Sequence, residues 1–477
     1  LELSPGIGAG YDFFSAGLPS RLSLVLPVLI LRSPFMSPAS DPLKSSGQAG
    51  PSGVGIKLFI MMVLEFFIWG AWLPLIFGYL PAMGLTENEQ MLILSAFPVS
   101  AIIGMFFSNQ FADRNFSAER FMAFSHLVGG LAMAGLAWVR FDRLPLEPGE
   151  VIKPYDASFW MFFGLMSLHC LLYVPTISIA NSIAFSHMKN SEKEFGIVRM
   201  GGTIGWILAA WPIAFILYGK PEAEVLKATS AIFVVSGGAS LLLAAFSLLL
   251  PHTPPNKATG AENFALLRAL KLLGTPAILV LFIATFIDST IHNGYFVMTG
   301  TFLAKAGIKP EWIMVVMSLG QVAEILTMMF LGLVLSKLGW RWTMIIGILG
   351  HAARFSVFAF FPDQTGLIVA IQFIHGICYA FFFATVYIYI DKVFPKDIRT
   401  SAQGLFNFLI LGVGDLAAKW LFIPLQARFV TGEGLAGYRE LFLVPTGMAI
   451  GAAVLLLLFF HPPREAEEPV AIKAPSH

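Results

Sequence analysis

The chain has 477 residues, of which 57% are hydrophobic and 12% charged, and its mean hydropathy is +0.76. A soluble domain carries roughly 25% charged residues, so bulk water is excluded as the main solvent. Lys plus Arg (30) almost equals Asp plus Glu (29), which argues against nucleic acid as a partner, and the two cysteines, Cys170 and Cys378, sit in apolar runs and frame neither a disulfide scaffold nor a metal site.

Residues 1–53 are rich in Ser, Pro and Gly and hold one short apolar run, 22–31, behind Arg21. That run is shorter than the ~20 residues a spanning helix needs. The segment reads as an N-terminal extension, disordered or an artefactual start with Met36 as an alternative initiator; a signal-type apolar core is the competing reading.

From there the apolar stretches at 57–81, 91–112, 121–140, 158–185, 201–218 and 228–250 are each long enough to cross a bilayer. A polar connector follows, and then comes a second series at 276–304, 312–336, 341–361, 365–391, 401–427 and 439–461. Runs of this length must be helices, because a backbone in lipid has to satisfy its own hydrogen bonds. The expected fold is an all-α polytopic membrane protein of twelve transmembrane helices in two six-helix halves: 54–250, a cytoplasmic connector at 251–275, 276–461, and a cytoplasmic tail at 462–477.

Basic residues set the orientation. With both termini inside, the inner loops hold Arg114, Arg120, Lys189, Lys193, Arg199, Lys257, Arg268, Lys271, Lys337, Arg341, Lys392, Lys396 and Arg399. The outer loops hold the smaller set Arg140, Arg143, Lys153, Lys220, Lys227, Lys305, Lys309, Arg428 and Arg439. Asp113, Arg114 and Arg120, between the second and third spans, suit a gating loop. The stretch from Gly332 to Arg341 repeats the pattern weakly in the second half, as duplicated halves would, and resembles the loop signature of the major facilitator superfamily, whose halves rock about a midplane site. Each charge reads equally well as a positive-inside anchor.

Ionisable groups within spans are costly, at about 2.5–3.5 kcal/mol for a central charge on insertion scales, and mark function by default. The first span carries Glu65; the fourth carries His169 and Asn181. In the fifth, Arg199, Thr203 and Trp206 fall at i, i+4 and i+7 and so share a face able to hold a polar aromatic ligand, unless Arg199 is an interfacial anchor. The seventh places Asp288 and His292 one turn apart, ahead of Asn293; these are either a proton-handling pair or a pair that satisfies itself. The eighth has Gln321 and Glu324, the tenth His375 and Tyr379, and such side chains suit the edges of a base or the hydroxyls of a sugar. Asp415 and Lys419 read as a mutually neutralising pair, and Arg354 as a packing or anchoring charge.

Several of these stretches, in order, resemble one family. Phe67-Ile-Trp-Gly-Ala-Trp-Leu73, Tyr173-Val-Pro-Thr176, Arg199-Met-Gly-Gly-Thr-Ile-Gly-Trp206, Met317-Ser-Leu-Gly-Gln-Val-Ala-Glu324, Ala353-Arg-Phe355 and Ile398-Arg-Thr-Ser-Ala-Gln-Gly404 are together similar to the bacterial nucleoside:proton symporters of the major facilitator superfamily. The resemblance implies an importer in the bacterial inner membrane with a nucleoside as substrate and protons as coupling ion; a monomer in the lipid bilayer, without a cofactor and with both termini cytoplasmic as the basic residues indicate, is expected. The resemblance also implies that Arg199, Thr203, Trp206, Asn293, Gln321 and Glu324 line the substrate site, with His375 and Tyr379 beside them. Two positions depart from the family: Ala380 stands where the family has a carboxylate, and Phe296 where it has a second amide. Glu324, alone or with Asp288 and His292, is then the expected proton-coupling group, since a desolvated carboxylate can load and release a proton as its solvent access alternates. A carrier of another small polar solute, a sugar or an organic anion, is the alternative, and a membrane sensor a more remote one. No HExxH motif, phosphate-cradling loop or sizeable extramembrane segment speaks for an enzyme or a resident metal.

Overall fold

The structure, a computed structural model, describes residues 53–141, 143, 153–188, 191–255, 271–394, 399–432 and 434–462. The expected N-terminal extension, Met36, most of the connector including Lys257 and Arg268, nearly all of the C-terminal tail and the side chains of Asp113 and Arg114 lie outside what is described.

The chain runs α1 (Gly53–Ala82), α2 (Glu87–Asn115), α3 (Ala118–Trp138), α4 (Ala157–His187), α5 (Ser191–Leu217), α6 (Glu222–Ser247), α7 (Pro276–Lys305), α8 (Pro310–Phe360), α9 (Thr365–Val393), α10 (Ala402–Phe429) and α11 (Tyr438–Phe459). No strand occurs among the described residues. Among the described residues ten segments are long and apolar enough to cross a membrane, where the sequence leads one to expect twelve. The expected second span is the 29-residue helix α2, which is not among the ten. The expected eighth and ninth are one 51-residue segment, α8, bent where Gly339 takes φ 69° and ψ 178°.

Large apolar side chains cover the outside of the bundle, among them Trp138, Phe215 and Met329, while Glu65, Asp288 and Arg354 are fully buried inside. That inversion defines a multi-pass membrane protein. Prolines inside α1, α4, α5, α10 and α11 are tolerated because neighbouring helices re-satisfy the backbone groups they free.

Helix α1 packs most extensively on α5, α3 on α6, and α2 and α3 on α4; later in the chain α8 packs on α11 and α9, and α7 on α10. The two series meet where α5 touches α8, α2 touches α10 and α1 touches α7. Small residues make the α1–α5 crossing close. A Cβ added at Gly201 would lie 2.7 Å from the Phe59 carbonyl oxygen, and one at Gly205 would lie 2.8 Å from the Val63 carbonyl carbon and 2.9 Å from its Cα. The two backbones are in contact, the small-xxx-small geometry of membrane helix pairs, and this seats Trp206 against Trp69, with ring centroids 5.3 Å apart.

Outside the bilayer-spanning segments, Arg143 clips three elements together. Its Nη1 and Nη2 donate to the two Glu89 carboxylate oxygens at 2.9 Å each, and its Nε donates to Asp156 Oδ2 at 2.9 Å. Asp156 uses its other oxygen to accept from Phe159 N at 2.8 Å and so caps α4. The bond from Arg143 holds the Asp156 carboxyl below its ordinary range. Arg143, expected as a loop charge of the outer face, is therefore neutralised by two acids.

Candidate functional site

Intramembrane polar groups gather in three places. The first lies among α1, α3, α4 and α6. Glu65 Oε2 is 3.0 Å from His126 Nε2, and Glu65 Oε1 accepts from the Thr176 hydroxyl at 2.8 Å. The Tyr173 hydroxyl donates to the Glu65 backbone oxygen at 2.7 Å, and Ser240 Oγ donates to the His126 carbonyl at 3.0 Å. His169 stacks on Tyr173 and meets the Gly129 carbonyl through Nδ1 at 2.9 Å. Glu65 is thus tied to two other helices by side-chain bonds.

The second group lies where α5 faces α8. The Arg199 guanidinium sits 4.2 Å from the centroid of the Phe66 ring, a cation–π contact, and is within electrostatic reach of Glu324 and Tyr379. Trp206 meets Trp69 edge-on and Phe296 at 5.7 Å. Trp69 stacks in turn on Phe97 at 4.6 Å. Arg199, Thr203, Trp206, Glu324 and Tyr379 are all partly exposed rather than sealed. Phe296 adds a ring to this aromatic surface.

The third group fills the space among α7, α8 and α9. Arg354 Nη1 lies 2.7 Å from His375 Nδ1 and Nη2 lies 3.1 Å from His351 Nδ1, while its guanidinium covers the Tyr295 ring at 4.0 Å. Tyr295 donates to Gln372 Oε1 at 2.9 Å. Asp288 Oδ1 is 3.7 Å from His351 Nε2, and neither carboxylate oxygen has a hydrogen bond among the described residues. His292 stacks on His375 at 5.0 Å, and the Gln321 amide lies 3.3 Å from His375 Nε2. Gly320 allows this approach, since a Cβ there would meet the His375 side chain at 2.8 Å.

Two expectations are corrected. Of the two roles expected for Arg354, packing or anchoring, the anchoring one fails: it is fully buried and joins two histidines and a tyrosine, as a guanidinium in lipid must if it is to be satisfied. Asp288 and His292 do not pair with each other across their helical turn; each turns to a different neighbour, His351 and His375. Asn293 gives its amide N–H groups to the Ser289 and Ile410 carbonyl oxygens at 2.9 and 3.3 Å, next to a π-helical turn at Phe408–Val413, so its donors are used within the protein. Arg120 is exposed at the start of α3. Asp415 and Lys419 form the expected ion pair.

The sequence reading missed His126, His351, Tyr295 and Gln372. Of these only His351 carried a signal, lying three residues before Arg354 and so on the same helix face.

Fold and buried polar groups together define a helical membrane carrier. The profile described as Nucleoside H+ symporter matches residues 52–465, and the chain belongs to that family. It is 30% identical over 432 residues to the "Putative nucleoside transporter YegT" of Escherichia coli (strain K12), covering 87% of this chain and 96% of that protein. It is 26% identical to the "Xanthosine permease" of the same organism, over 85% of this chain and 96% of that one. Among solved structures, that of the nucleoside transporter NupG superposes with a TM-score of 0.72 at 21% identity, covering 86% of this chain and all of the other. A D-xylose-proton symporter superposes with a TM-score of 0.64 at 15% identity.

Proposed function

We propose that this chain imports nucleosides together with protons across the bacterial inner membrane, as a monomer with both termini cytoplasmic, through alternating access of halves 54–250 and 276–461 joined by 251–275. In this reading the chain crosses the bilayer twelve times, α2 and the two arms of α8 each counting as a crossing. The observation that carries it is that α5, which bears Arg199 and Trp206, packs on α8, which bears Glu324, at the contact between the two series of helices, with Arg199 within electrostatic reach of Glu324. A guanidinium, a carboxyl group and an aromatic surface at such a contact suit a flat heterocycle carrying a polyhydroxylated sugar.

The roles divide by chemistry. Trp206, with Trp69 and Phe296 around it, offers faces on which a base can stack. Arg199, Thr203, Asn293, Gln321, Glu324, His375 and Tyr379 supply the polar contacts, His375 from behind Gln321. Glu324 is the coupling carboxylate: partly exposed beside the substrate, it takes a proton from one side and releases it to the other, and because substrate and proton share one site, each alters the affinity for the other. Asp288 and His292 provide a second acid and an imidazole deeper in the same half. Asp113, Arg114 and Arg120 act as the gating loop.

Uptake of a labelled nucleoside panel into vesicles, with and without an imposed pH gradient, tests the reading; saturable uptake raised by an inward proton gradient is expected. Glu324→Gln keeps the size but cannot titrate, and is expected to lose uphill accumulation while retaining exchange of preloaded nucleoside. Full, protonophore-sensitive accumulation by that variant would remove Glu324 as the coupling acid. A single cysteine at position 257 in a cysteine-free background should resist an impermeant reagent in intact cells, and strong labelling there would reverse the orientation.

A further inference from the structure

A guanidinium has only N–H donors and no lone pair. Because Arg354 Nη1 meets His375 Nδ1 at 2.7 Å and Nη2 meets His351 Nδ1 at 3.1 Å, both Nδ1 atoms are acceptors. A neutral imidazole with its lone pair on Nδ1 carries its hydrogen on Nε2. Each histidine therefore turns an N–H away from the arginine. That of His351 is directed at Asp288 Oδ1, 3.7 Å away, and that of His375 at the Gln321 amide, 3.3 Å away.

This fixes which way round the Gln321 amide stands. The oxygen and nitrogen of a side-chain amide are assigned from their partners. Facing the His375 N–H, the amide must present its oxygen, since an NH2 there would set donor against donor. The far end of the amide is then the NH2. Gln321 is only 6% exposed, and that far end has no hydrogen-bond partner among the described residues. A buried donor of this kind calls for an acceptor. Asn293 is fixed in the opposite sense, because the backbone oxygens of Ser289 and Ile410 can only accept, so its oxygen is the end left for a ligand.

Resting on the nucleoside reading above, we propose that Arg354 and His375 are positioning residues that lock Gln321 with its NH2 toward the substrate, so that the carrier selects bases presenting a carbonyl oxygen over bases presenting an exocyclic amine. Uridine is preferred to cytidine and inosine to adenosine, each pair differing at that one group and its neighbouring ring nitrogen. An amine brought against the Gln321 NH2 leaves buried donors unpaired, a loss of about tenfold for one hydrogen bond.

The test measures uptake efficiency for uridine, cytidine, inosine and adenosine in proteoliposomes under one imposed proton gradient. The wild-type chain is expected to favour the carbonyl member of each pair by about tenfold. In Gln321→Glu one carboxylate oxygen accepts from His375 and the other faces the substrate as an acceptor, so both ratios should invert. His375→Phe removes the lock, lets the amide turn either way, and should bring both ratios toward one. The ratio is the readout because a general loss of folding or coupling lowers all four rates together. If His375→Phe does not reach the membrane, Gln321→Glu alone decides. A wild-type preference for the amine-bearing bases, or unchanged ratios in Gln321→Glu, overturns the proposal while leaving nucleoside transport intact. Transport of none of the four by the wild-type chain rejects the nucleoside reading itself.

Discussion

Gly205→Ala adds one methyl group where two backbones touch. The new Cβ would lie 2.8 Å from the carbonyl carbon of Val63 and 2.9 Å from its Cα, and backbone atoms cannot swing aside as a flexible side chain can. Overpacking costs about 1–3 kcal/mol, and a clash with backbone belongs at the upper end, about 3. Alanine returns about 1 kcal/mol through its better helix propensity, leaving a net loss of about 2 kcal/mol. Gly196→Ala is the matched control: it lies on the same helix, and a Cβ there meets nothing within 4 Å. It should gain about 1 kcal/mol, so the two variants differ by about 3 kcal/mol. Relief of the clash also moves Trp206, the next residue, off Trp69, so nucleoside KM should rise in Gly205→Ala and stay put in Gly196→Ala. Thermal unfolding of the purified proteins in detergent and uptake in proteoliposomes measure both effects. Equal melting midpoints together with equal KM values would refute the account of the α1–α5 contact.

Arg143→Ala strands the Glu89 carboxylate, which is fully enclosed; removing one partner of a buried pair costs about 3–5 kcal/mol, and a melting midpoint unchanged from wild type would show that the clip contributes nothing. Asp156 has its pKa lowered in the folded protein by Arg143, so its share of stability is complete above the unfolded value of roughly 4 and is lost only as pH falls through the lower folded value. Asp156→Asn should accordingly lower the midpoint at pH 7 and leave a smaller gap to wild type as the pH falls below roughly 4; a gap that widens in acid would contradict this sign. Lys419→Met leaves the buried Asp415 without its partner and should destabilise by about 3–5 kcal/mol, whereas Lys419→Met combined with Asp415→Asn should recover most of the loss, and a double variant as unstable as the single would place the cost elsewhere.

The spans were legible because run length and apolar content are local properties, and their ends agree with the helices to within a few residues at α1, α4, α7 and α11. The junction at 337–341 was not. Lys337, Gly339 and Arg341 read as a loop, yet one residue with positive φ suffices to turn the chain. The shared face of Arg199, Thr203 and Trp206 could be read from its spacing. What faced it could not, since the contact with α8 joins residues far apart in sequence. For Arg354 the sequence leaves packing and anchoring open, although its place in the middle of an apolar stretch argues for the buried role. Its partners His375 and Tyr295 come from two other helices, and no periodicity within one helix announces them. His126 is the plainest loss, a lone imidazole in α3 whose meaning appears only when Glu65 of α1 is 3.0 Å away.

The bend at Gly339 joins two helical arms with no spare residues between them. It therefore acts as a phase lock. Gln321 and Glu324 ride on one arm, His351 and Arg354 on the other, and a helix turns about 100° per residue. The angular setting of Gln321 and Glu324 on the first arm is thereby keyed to that of His351 and Arg354 on the second. Across the bend the two arms share one rotational frame. Sites joined by a long flexible loop are free to drift out of step; these are not.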